Sequence, residues 1–142
     1  MKMYFYNNAK CMGIQAGIQP LHAVVELLVK YEDDSVLNSK FVDMSYDWAV
    51  NHKTVAVLKG GGHHDLEMML SLLQDNIHSP FAEFREEDLN DSLTSIAVLC
   101  TDDMVDDMAA YRKKFISDDE MHEKYGTYAD VLIILALARS AN

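Results

Sequence analysis

Short apolar stretches rich in β-branched and aromatic residues recur along the chain and predict strands. Four of them stand out, MYFYN (3–7), KTVAVLK (53–59), PFAEF (80–84) and LTSIAVLC (93–100). They are five to eight residues long, which is a common strand length in globular proteins. The pattern therefore predicts a sheet of four strands.

Apolar residues recur at helical spacing between these strands and after them. The helical patterns cover 13–31, about 41–50, 65–77, 103–115, 118–125 and 128–140. In the first helix the predicted buried face carries Ile18, Leu21, Val25, Leu28 and Val29. In the third helix it carries Leu66, Met69, Leu70, Leu73 and Ile77. This order of elements predicts an α/β domain with a small mixed sheet packed by helices.

Several helix ends carry capping signals. Two capping boxes are predicted, Ser117-x-x-Glu120 and Thr127-x-x-Asp130. Gly126 suits the end of the helix that lies between them. His64 or Asp65 is expected at the cap position of the third helix.

The last predicted helix, 128–140, is apolar around nearly its whole circumference. Only Asp130 and Arg139, near its two ends, are charged. Such a helix is expected to be buried, because leaving several large apolar side chains in water costs several kcal/mol. A homodimer whose interface includes this helix is the simplest way to bury its apolar side chains. The alternative is that the segments 103–115 and 118–125 fold back over it within one subunit.

Composition places the chain among soluble globular proteins. Its 142 residues suit one domain, and 49% hydrophobic with 25% charged residues argues against disorder. The longest apolar run, VLIILALA (131–138), is far shorter than the ~20 residues that span a bilayer. The two cysteines lack metal-type spacing, and residues 1–13 lack the apolar core of a signal peptide. We therefore expect a cytoplasmic protein without a membrane partner.

The charge is strongly negative and unevenly distributed. The formal net charge is −11, and residues 83–124 alone hold thirteen acidic and five basic residues. Nucleic-acid binding gains much of its affinity from basic groups on phosphates, so this charge disfavours tRNA as a partner. The alternative interpretation of the acidic surface is a solvated face that aids solubility.

Three glycines and two histidines, Gly60 to His64, separate the second strand from the third helix. A phosphate cradle, a metal site and a plain turn are the three interpretations. The run matches neither common phosphate-loop motif, and no third ligand stands at metal spacing, so neither a metal nor a cofactor is expected. A tight turn is favoured. The N–H groups of Gly61 and Gly62 beside a helix start remain a candidate anion site.

Several local sequences resemble the type-2 peptidyl-tRNA hydrolase family. They are MYFYNNAK, Gln19-x-x-His22-Ala23, Trp48 shortly before KTVAVLK, LTSIAVL, and FREEDLNDSLTSIA (84–97), which matches the FxExDLxxxLTxIA-like motif of a divergent branch. The resemblance implies a four-stranded mixed sheet with helices on both faces, usually in a homodimer, and cleavage of the ester between a peptide and tRNA. It covers roughly residues 2–100. Residues 101–142 would then be a helical extension of a single domain, 1–142.

The chain departs from the family's site residues at three positions. Ile14-Gln15 stands where the family has Gly-Lys, seven residues before the helix histidine. Aligning the fourth-strand threonine with Thr94 places Ala82 at the family's aspartate and Glu86 at its other threonine. Ester hydrolysis needs an activated water and stabilisation of the developing oxyanion. A site built on this chain must therefore use other groups.

The residues that remain define a candidate site. Its catalytic members are predicted to be Gln15, His22, Asp88 and Thr94, and its ligand-binding members Gln19, Glu87, Gly61 and Gly62. Gln15 and Gln19 are one helical turn apart, and His22 stands nearly one turn later. The structural alternatives are a histidine that packs beneath the sheet and a solvated acid pair in a turn.

Two classes of function are compatible with these residues. The first is a hydrolase related to the peptidyl-tRNA hydrolases, with a rebuilt site, that acts on peptidyl-tRNA or a related ester. The second is a non-catalytic homodimeric module of the same fold that holds a small ligand or a protein partner in the cleft.

Overall fold

Five strands form a mixed sheet in the computed structural model, which describes residues 1–32 and 39–140. The strands are β1 (Lys2–Asn7), β2 (Val55–Lys59), β3 (Phe81–Glu86), β4 (Ser92–Cys100) and β5 (Arg139–Ser140). The helices are α1 (Gln15–Lys30), α2 (Ser39–Asp47), α3 (His63–Asp75), α4 (Asp102–Arg112), α5 (Asp118–Tyr125) and α6 (Ala129–Leu137). A π-helical turn, Trp48–His52, continues α2, and 3-10 turns occupy Glu87–Leu89 and Gly126–Tyr128.

The order of strands across the sheet is β3-β4-β1-β2-β5. The central strand β1 runs parallel to β2 and antiparallel to β4, and β3 and β5 pair antiparallel at the two edges. The predicted α/β arrangement with a mixed sheet is confirmed, but the count of four strands is wrong. The fifth strand is only two residues long, and it pairs Arg139 with Lys59 after α6 ends at Leu137. The predicted last helix therefore stops three residues early.

Helices cover both faces of the sheet. Along β1 the side chains alternate, so Met3 and Phe5 join one apolar cluster while Tyr4 and Tyr6 join the other. The cluster around Met3 and Phe5 contains residues of α1 and residues of α2 and the π-helical turn. The cluster on the opposite face contains residues of α3, α4, α5 and α6.

Helix α1 turns a different face to the sheet than its periodicity predicts. Its buried residues are Gln19, Pro20, Ala23 and Leu27. Leu21, Val25 and Val29 of the predicted core face are 60%, 50% and 56% exposed. The small side chain of Ala23 lets the helix backbone approach β3 and β4 closely, which a face of large aliphatic side chains would prevent. The prediction that Leu21, Val25 and Val29 form the core face is therefore wrong.

Helix α6 is covered within the chain. Val131, Leu132, Leu135 and Ala136 are buried, and the helix packs against α3, α4 and α5. The segments after residue 101 thus fold back and enclose it, which was the alternative to a dimer. Of its large apolar residues, Leu137 at the end is 64% exposed. The burial of α6 therefore does not require a second subunit.

The capping predictions have mixed outcomes. Ser117 and Glu120 form the predicted capping box of α5, and Gly126 ends that helix with a positive φ of 61°. The second predicted box is wrong, because a 3-10 turn precedes α6 and the Thr127 hydroxyl donates to the Asn76 side chain instead. At α3 the cap is Gly62, and neither His64 nor Asp65 holds that position.

The buried face of α3 matches the prediction except at its end. Leu66, Met69, Leu70 and Leu73 are buried, whereas Ile77 lies beyond the helix and is exposed.

Among the described residues, no helix is both long and apolar enough to cross a membrane.

Candidate functional site

A polar cavity of about 650 Å³ opens at the end of the sheet where β1 finishes and β4 begins. It is lined by Asn8, Lys10, Cys11, Gln15, Gln19, His63, Glu86, Asp88, Leu89, Asn90, Ser92 and Thr94. Three segments supply most of these residues: the loop after β1, the first turns of α1, and the turn between β3 and β4. The volume lies in the range typical of small-molecule sites.

Two consecutive asparagines fix the loop after β1. The Asn7 amide donates to the carbonyl of Ala16 (3.2 Å) and accepts from the Ser95 hydroxyl (2.7 Å). Asn8 donates to the carbonyl of Leu93 (3.2 Å), and its side-chain oxygen accepts from the N–H of Lys10 (3.0 Å). Both asparagines are buried, so these bonds tie the loop to β4 and α1.

Gln19 is the centre of the polar network in the cavity. Its amide oxygen accepts a hydrogen bond from the Thr94 hydroxyl at 2.8 Å. Its amide nitrogen donates to the Gln15 amide oxygen at 2.8 Å and to the Glu86 carboxylate at 3.2 Å. Gln19 and Thr94 are almost fully buried, so each needs these partners. One buried glutamine therefore orients both an amide and a carboxylate at the cavity wall.

Charges of both signs line the cavity. The β1–α1 segment contributes the ammonium of Lys10, and residues 1–25 contain no Asp or Glu. The turn between β3 and β4 contributes the carboxylates of Glu86 and Asp88. The Glu86 carboxylate is linked through Gln19 to the Gln15 amide, so a group bound there would meet an amide and a carboxylate together.

His63 reaches the cavity from the start of α3. Its Nε2 lies 3.6 Å from a carboxylate oxygen of Glu67, one helical turn along. The same carboxylate receives two hydrogen bonds from the Arg85 guanidinium, at 2.9 and 3.2 Å. Those bonds lower the pKa of Glu67, so the carboxylate stays ionised beside the imidazole.

Cys11 is a half-buried thiol on the cavity wall. Its Sγ lies 3.8 Å from the carbonyl oxygen of Thr94. Burial raises the pKa of this thiol, which favours the neutral form over the nucleophilic thiolate. Cys100 is fully buried, and burial raises its pKa to about 12. Neither cysteine has the environment of a nucleophile.

Four of the predicted site residues meet in the cavity, namely Gln15, Gln19, Asp88 and Thr94. His22 does not join them. It lies on the exposed side of α1, and its ring stacks on Phe84 with centroids 4.5 Å apart. Glu87 is exposed and lines a neighbouring cavity together with Glu26 and Phe84.

The glycines of the 60–62 segment lie where the chain passes close to β1. A side chain at Gly60 would meet the Asn7 carbonyl oxygen at 2.5 Å, and one at Gly61 would collide with the Asp65 carboxylate. The Gly61 carbonyl accepts a hydrogen bond from the Ala9 N–H (2.9 Å). The Gly62 N–H, a predicted anion donor, instead donates to Asp65 at 2.9 Å. The favoured interpretation of a tight turn therefore has a steric basis.

The sequence prediction missed Asn8, Lys10, Cys11, His63 and Glu86, which also line the cavity. Lys10 comes after the carboxyl end of β1, a position where polar residues often reach a site, and this signal was available. Glu86 was considered only as a replacement for a threonine. His63 was judged as a metal ligand beside His64 and not as the first residue of α3.

Comparison with known proteins adds no relative. No protein-family model matches the chain, and no curated protein matches it significantly.

Within residues 1–32 and 39–140, no group of three or more His, Cys, Asp or Glu side chains is arranged to hold a metal ion.

Proposed function

We propose that this chain is an ester hydrolase related to the type-2 peptidyl-tRNA hydrolases, with a rebuilt site. The proposal rests on one observation. A single cavity holds the cation of Lys10, the oriented amide of Gln15 and the carboxylate of Glu86. These are the kinds of group that ester hydrolysis requires. In this chain Gln15 stands at the position of the family's lysine and Ala82 at that of its aspartate. Lys10 and Glu86 would supply the cation and the carboxylate from other positions.

In the proposed reaction, Glu86 acts as general base. Its carboxylate takes a proton from a water molecule, and the water oxygen bonds to the ester carbonyl carbon. The carbonyl π-bond electrons move onto oxygen, where the Gln15 amide and the Lys10 ammonium stabilise the negative charge. When the carbon–alcohol bond breaks, the leaving alkoxide takes the proton back from Glu86. The products are a carboxylic acid and an alcohol.

Gln19 and Thr94 act as positioning residues in this scheme. Thr94 fixes the orientation of the Gln19 amide, because its hydroxyl donates to the amide oxygen. The amide nitrogen is then directed at Gln15 and Glu86 together. Gln19 lies on the buried face of α1. A substitution at Thr94 should therefore alter the orientation of the Gln19 amide, and with it the positions of Gln15 and Glu86.

The acyl end of a substrate fits the cavity better than a large part of a tRNA does. Residues 83–124, with thirteen acidic and five basic residues, repel a phosphate backbone. The wall formed by residues 8–19 contains no acid, so an acylated terminal nucleoside can enter beside Lys10. We therefore propose peptidyl-tRNA or a smaller acyl ester of a nucleoside as the substrate, bound through its acyl end.

Hydrolysis of an N-acetylaminoacyl-tRNA and of the corresponding N-acetylaminoacyl-adenosine tests the proposal. Release of the N-acetylamino acid should fall about 100-fold or more in Glu86→Gln, because that variant lacks the base. Glu87→Gln is the matched control, since Glu87 lies outside the cavity, and it should retain wild-type turnover. Equal losses in both variants, or no turnover of either ester by the wild type, would contradict the proposed hydrolase.

A second candidate function is a non-catalytic homodimeric binding module. Two observations favour it: His22 stacks on Phe84 outside the cavity, and the buried Thr94 hydroxyl and Gln19 amide have their hydrogen-bond partners within the protein. In that case, an analogue with an amide in place of the ester should bind to the wild type. The ester itself should then bind with similar affinity and remain intact over hours.

A further inference from the structure

Two basic residues lie side by side at the edge of the sheet. Strand β5 pairs antiparallel with β2, and in this register Arg139 stands directly opposite Lys59. Side chains that are directly opposite point to the same face of a sheet, with Cβ atoms about 5 Å apart, and like charges in such a pair repel. Acidic residues outnumber basic ones in this chain by 23 to 12, so composition does not explain a second cation at this position.

Neither cation is neutralised by the part of the chain that the structure describes. Lys59 and Arg139 are both exposed, and the ion pairs formed among residues 1–32 and 39–140 include neither of them. Leu58 belongs to the apolar cluster on the α3 side of the sheet, so Lys59 points to the α1 side. The Asp65 carboxylate, at the start of α3, accepts a hydrogen bond from the Gly62 N–H instead. The repulsion between the two cations is therefore left for an anion from outside the chain to relieve.

A second cavity, of about 470 Å³, opens beside Lys59. Among the residues that line it, Lys59 is the one that carries a charge. The loop after β1 and the start of α1 form the rest of its wall, and residues 1–25 contain no Asp or Glu. Asn8 and Cys11 line both this cavity and the larger one, so the two cavities adjoin. An anion held at Lys59 would thus meet no opposing carboxylate from this wall.

We propose that Lys59 and Arg139 together bind the phosphate group of a mononucleotide. A guanidinium and an ammonium are the side chains that hold phosphates best, and one phosphate between them relieves their mutual repulsion. A single phosphate suits the pair better than a nucleic-acid backbone does, because the net charge of −11 repels a run of phosphates. The nucleoside of the same molecule would then extend past Asn8 and Cys11 towards the larger cavity.

Phosphate binding at this pair does not depend on the hydrolase. Its use in presenting an acylated nucleotide to Glu86 rests on the proposed function. The two statements have separate experiments, one of binding and one of turnover.

Titration calorimetry of the full chain with AMP and with adenosine tests the binding site. AMP should bind at least about 10-fold more tightly than adenosine, because only AMP carries the phosphate. This ratio should fall to near one when Lys59→Gln is combined with Arg139→Gln. The matched control combines Arg112→Gln with Lys113→Gln, which removes the same two charges from exposed positions at the end of α4 and should leave the ratio unchanged.

Three results of the titrations would overturn the proposal. The first is AMP that binds no more tightly than adenosine, and the second is an equal loss of AMP affinity in the two double variants, which would indicate general attraction to positive charge. The third is inorganic phosphate that binds as tightly as AMP, which would exclude a nucleotide as the ligand. Because both residues are exposed, the double variant should fold, and without ligand it should be at least as stable as the wild type.

Turnover separates the role of the phosphate from the hydrolase itself. The N-acetylaminoacyl ester on the 3′ hydroxyl of AMP should show a kcat/KM about 10-fold above that of the adenosine ester. Lys59→Gln combined with Arg139→Gln should remove this difference by raising KM for the AMP ester, with kcat unchanged. A wild type that hydrolyses neither ester would contradict the hydrolase, and calorimetry would still decide the phosphate site. Equal kcat/KM values for the two esters in the wild type would show that the phosphate does not present the substrate.

Discussion

Helices α1 and α6 both carry long apolar stretches, but the chain covers them differently. Helix α6 packs against α3, α4 and α5 on one face of the sheet, which buries Val131, Leu132 and Leu135 and partly buries Ile133 and Ile134. On the other face, α1 buries Ala23 and Leu27 and leaves Leu21 and Val25 exposed. The more hydrophobic helix is therefore the one that needs no partner.

The difference depends on the position of each helix along the chain and on its neighbours. Helix α6 follows α4 and α5 in the sequence and packs against the layer that they form. The described helix that lies beside α1 is α2, and the closest contacts of α1 are with β3 and β4. A similar apolar pattern is therefore buried in one helix and exposed in the other, according to the elements that lie beside it.

The largest expected effect is the difference in stability between two Leu→Ala variants, one in α6 and one in α1. Leu132→Ala in α6 should lower the free energy of unfolding by about 3 kcal/mol, because Leu132 is fully buried and its loss leaves a cavity. Leu21→Ala in α1 should change it by less than about 0.5 kcal/mol. Urea denaturation of the two variants and the wild type at the same protein concentration measures both. Equal losses would show that α1 is covered within the monomer.

Enlarging a residue should separate the two faces of α1. Ala23→Leu should cost about 2 kcal/mol, because a larger side chain forces the helix away from β3 and β4. Val25→Leu adds one methylene on the exposed face of α1 and should be neutral within about 0.5 kcal/mol. The same denaturation experiment compares them. A neutral Ala23→Leu would mean that the inward face of α1 packs loosely.

A smaller effect is expected where the inward face of α1 is polar. Thr94→Val keeps the shape of the side chain but leaves the buried Gln19 amide oxygen without its donor at 2.8 Å. The variant should lose about 1–2 kcal/mol of stability, and its ester turnover should fall with little change in KM. Thr54→Val, at an exposed threonine, is the control. Unchanged turnover in Thr94→Val would remove Gln19 from its positioning role.

The smallest effect concerns the junction between α5 and α6. Hydrogen bonds to the Asp118 carbonyl and the Asp130 carboxylate raise the pKa of His122. A raised pKa means that the protonated form is favoured on folding. Its stabilising contribution is thus complete below about pH 6.5 and is lost as the pH rises through the folded-state pKa. Between pH 6 and 8 the wild type should lose slightly more stability than His122→Gln does, and parallel pH profiles would contradict this.

Much of the fold can be predicted from hydrophobic periodicity. The four longer strands and the helices between them each carry a pattern of their own length and period, so sequence suffices to place them. Arg139 and Ser140 were missed because two residues make no pattern, and the helical run of α6 continues into them. Leu21 and Val25 were misplaced because periodicity finds an apolar face but does not show which face meets the sheet.

The candidate site could be predicted where regular elements carry it. Gln15 and Gln19 are one turn apart on α1, and Thr94 lies in β4, so their convergence is a consequence of helix and strand geometry. Lys10 lies in the loop after β1, so its position follows from the path of that loop and not from a periodic pattern. Glu86 ends β3, but a single acid at a strand end gives no sign that it will pair with Gln19. His22 was expected beside Gln19 in the site. Its direction differs from that of Gln19 by only about 60°, but this carries it from the buried side of α1 to the exposed side, where its ring stacks on Phe84.

The most direct test of the site is the place where a substrate analogue binds. We expect an N-acetylaminoacyl-adenosine with an amide in place of the ester to shift the backbone amide NMR signals of Asn8, Lys10, Gln15 and Thr94. Signals of α6 and of the exposed face of α1 around Leu21 should not move. Saturable shifts confined to the first group would place the acyl end in the cavity beside Glu86. Shifts around Leu21 or in α6, with the cavity signals unchanged at millimolar analogue, would contradict the assignment of the cavity as the functional site.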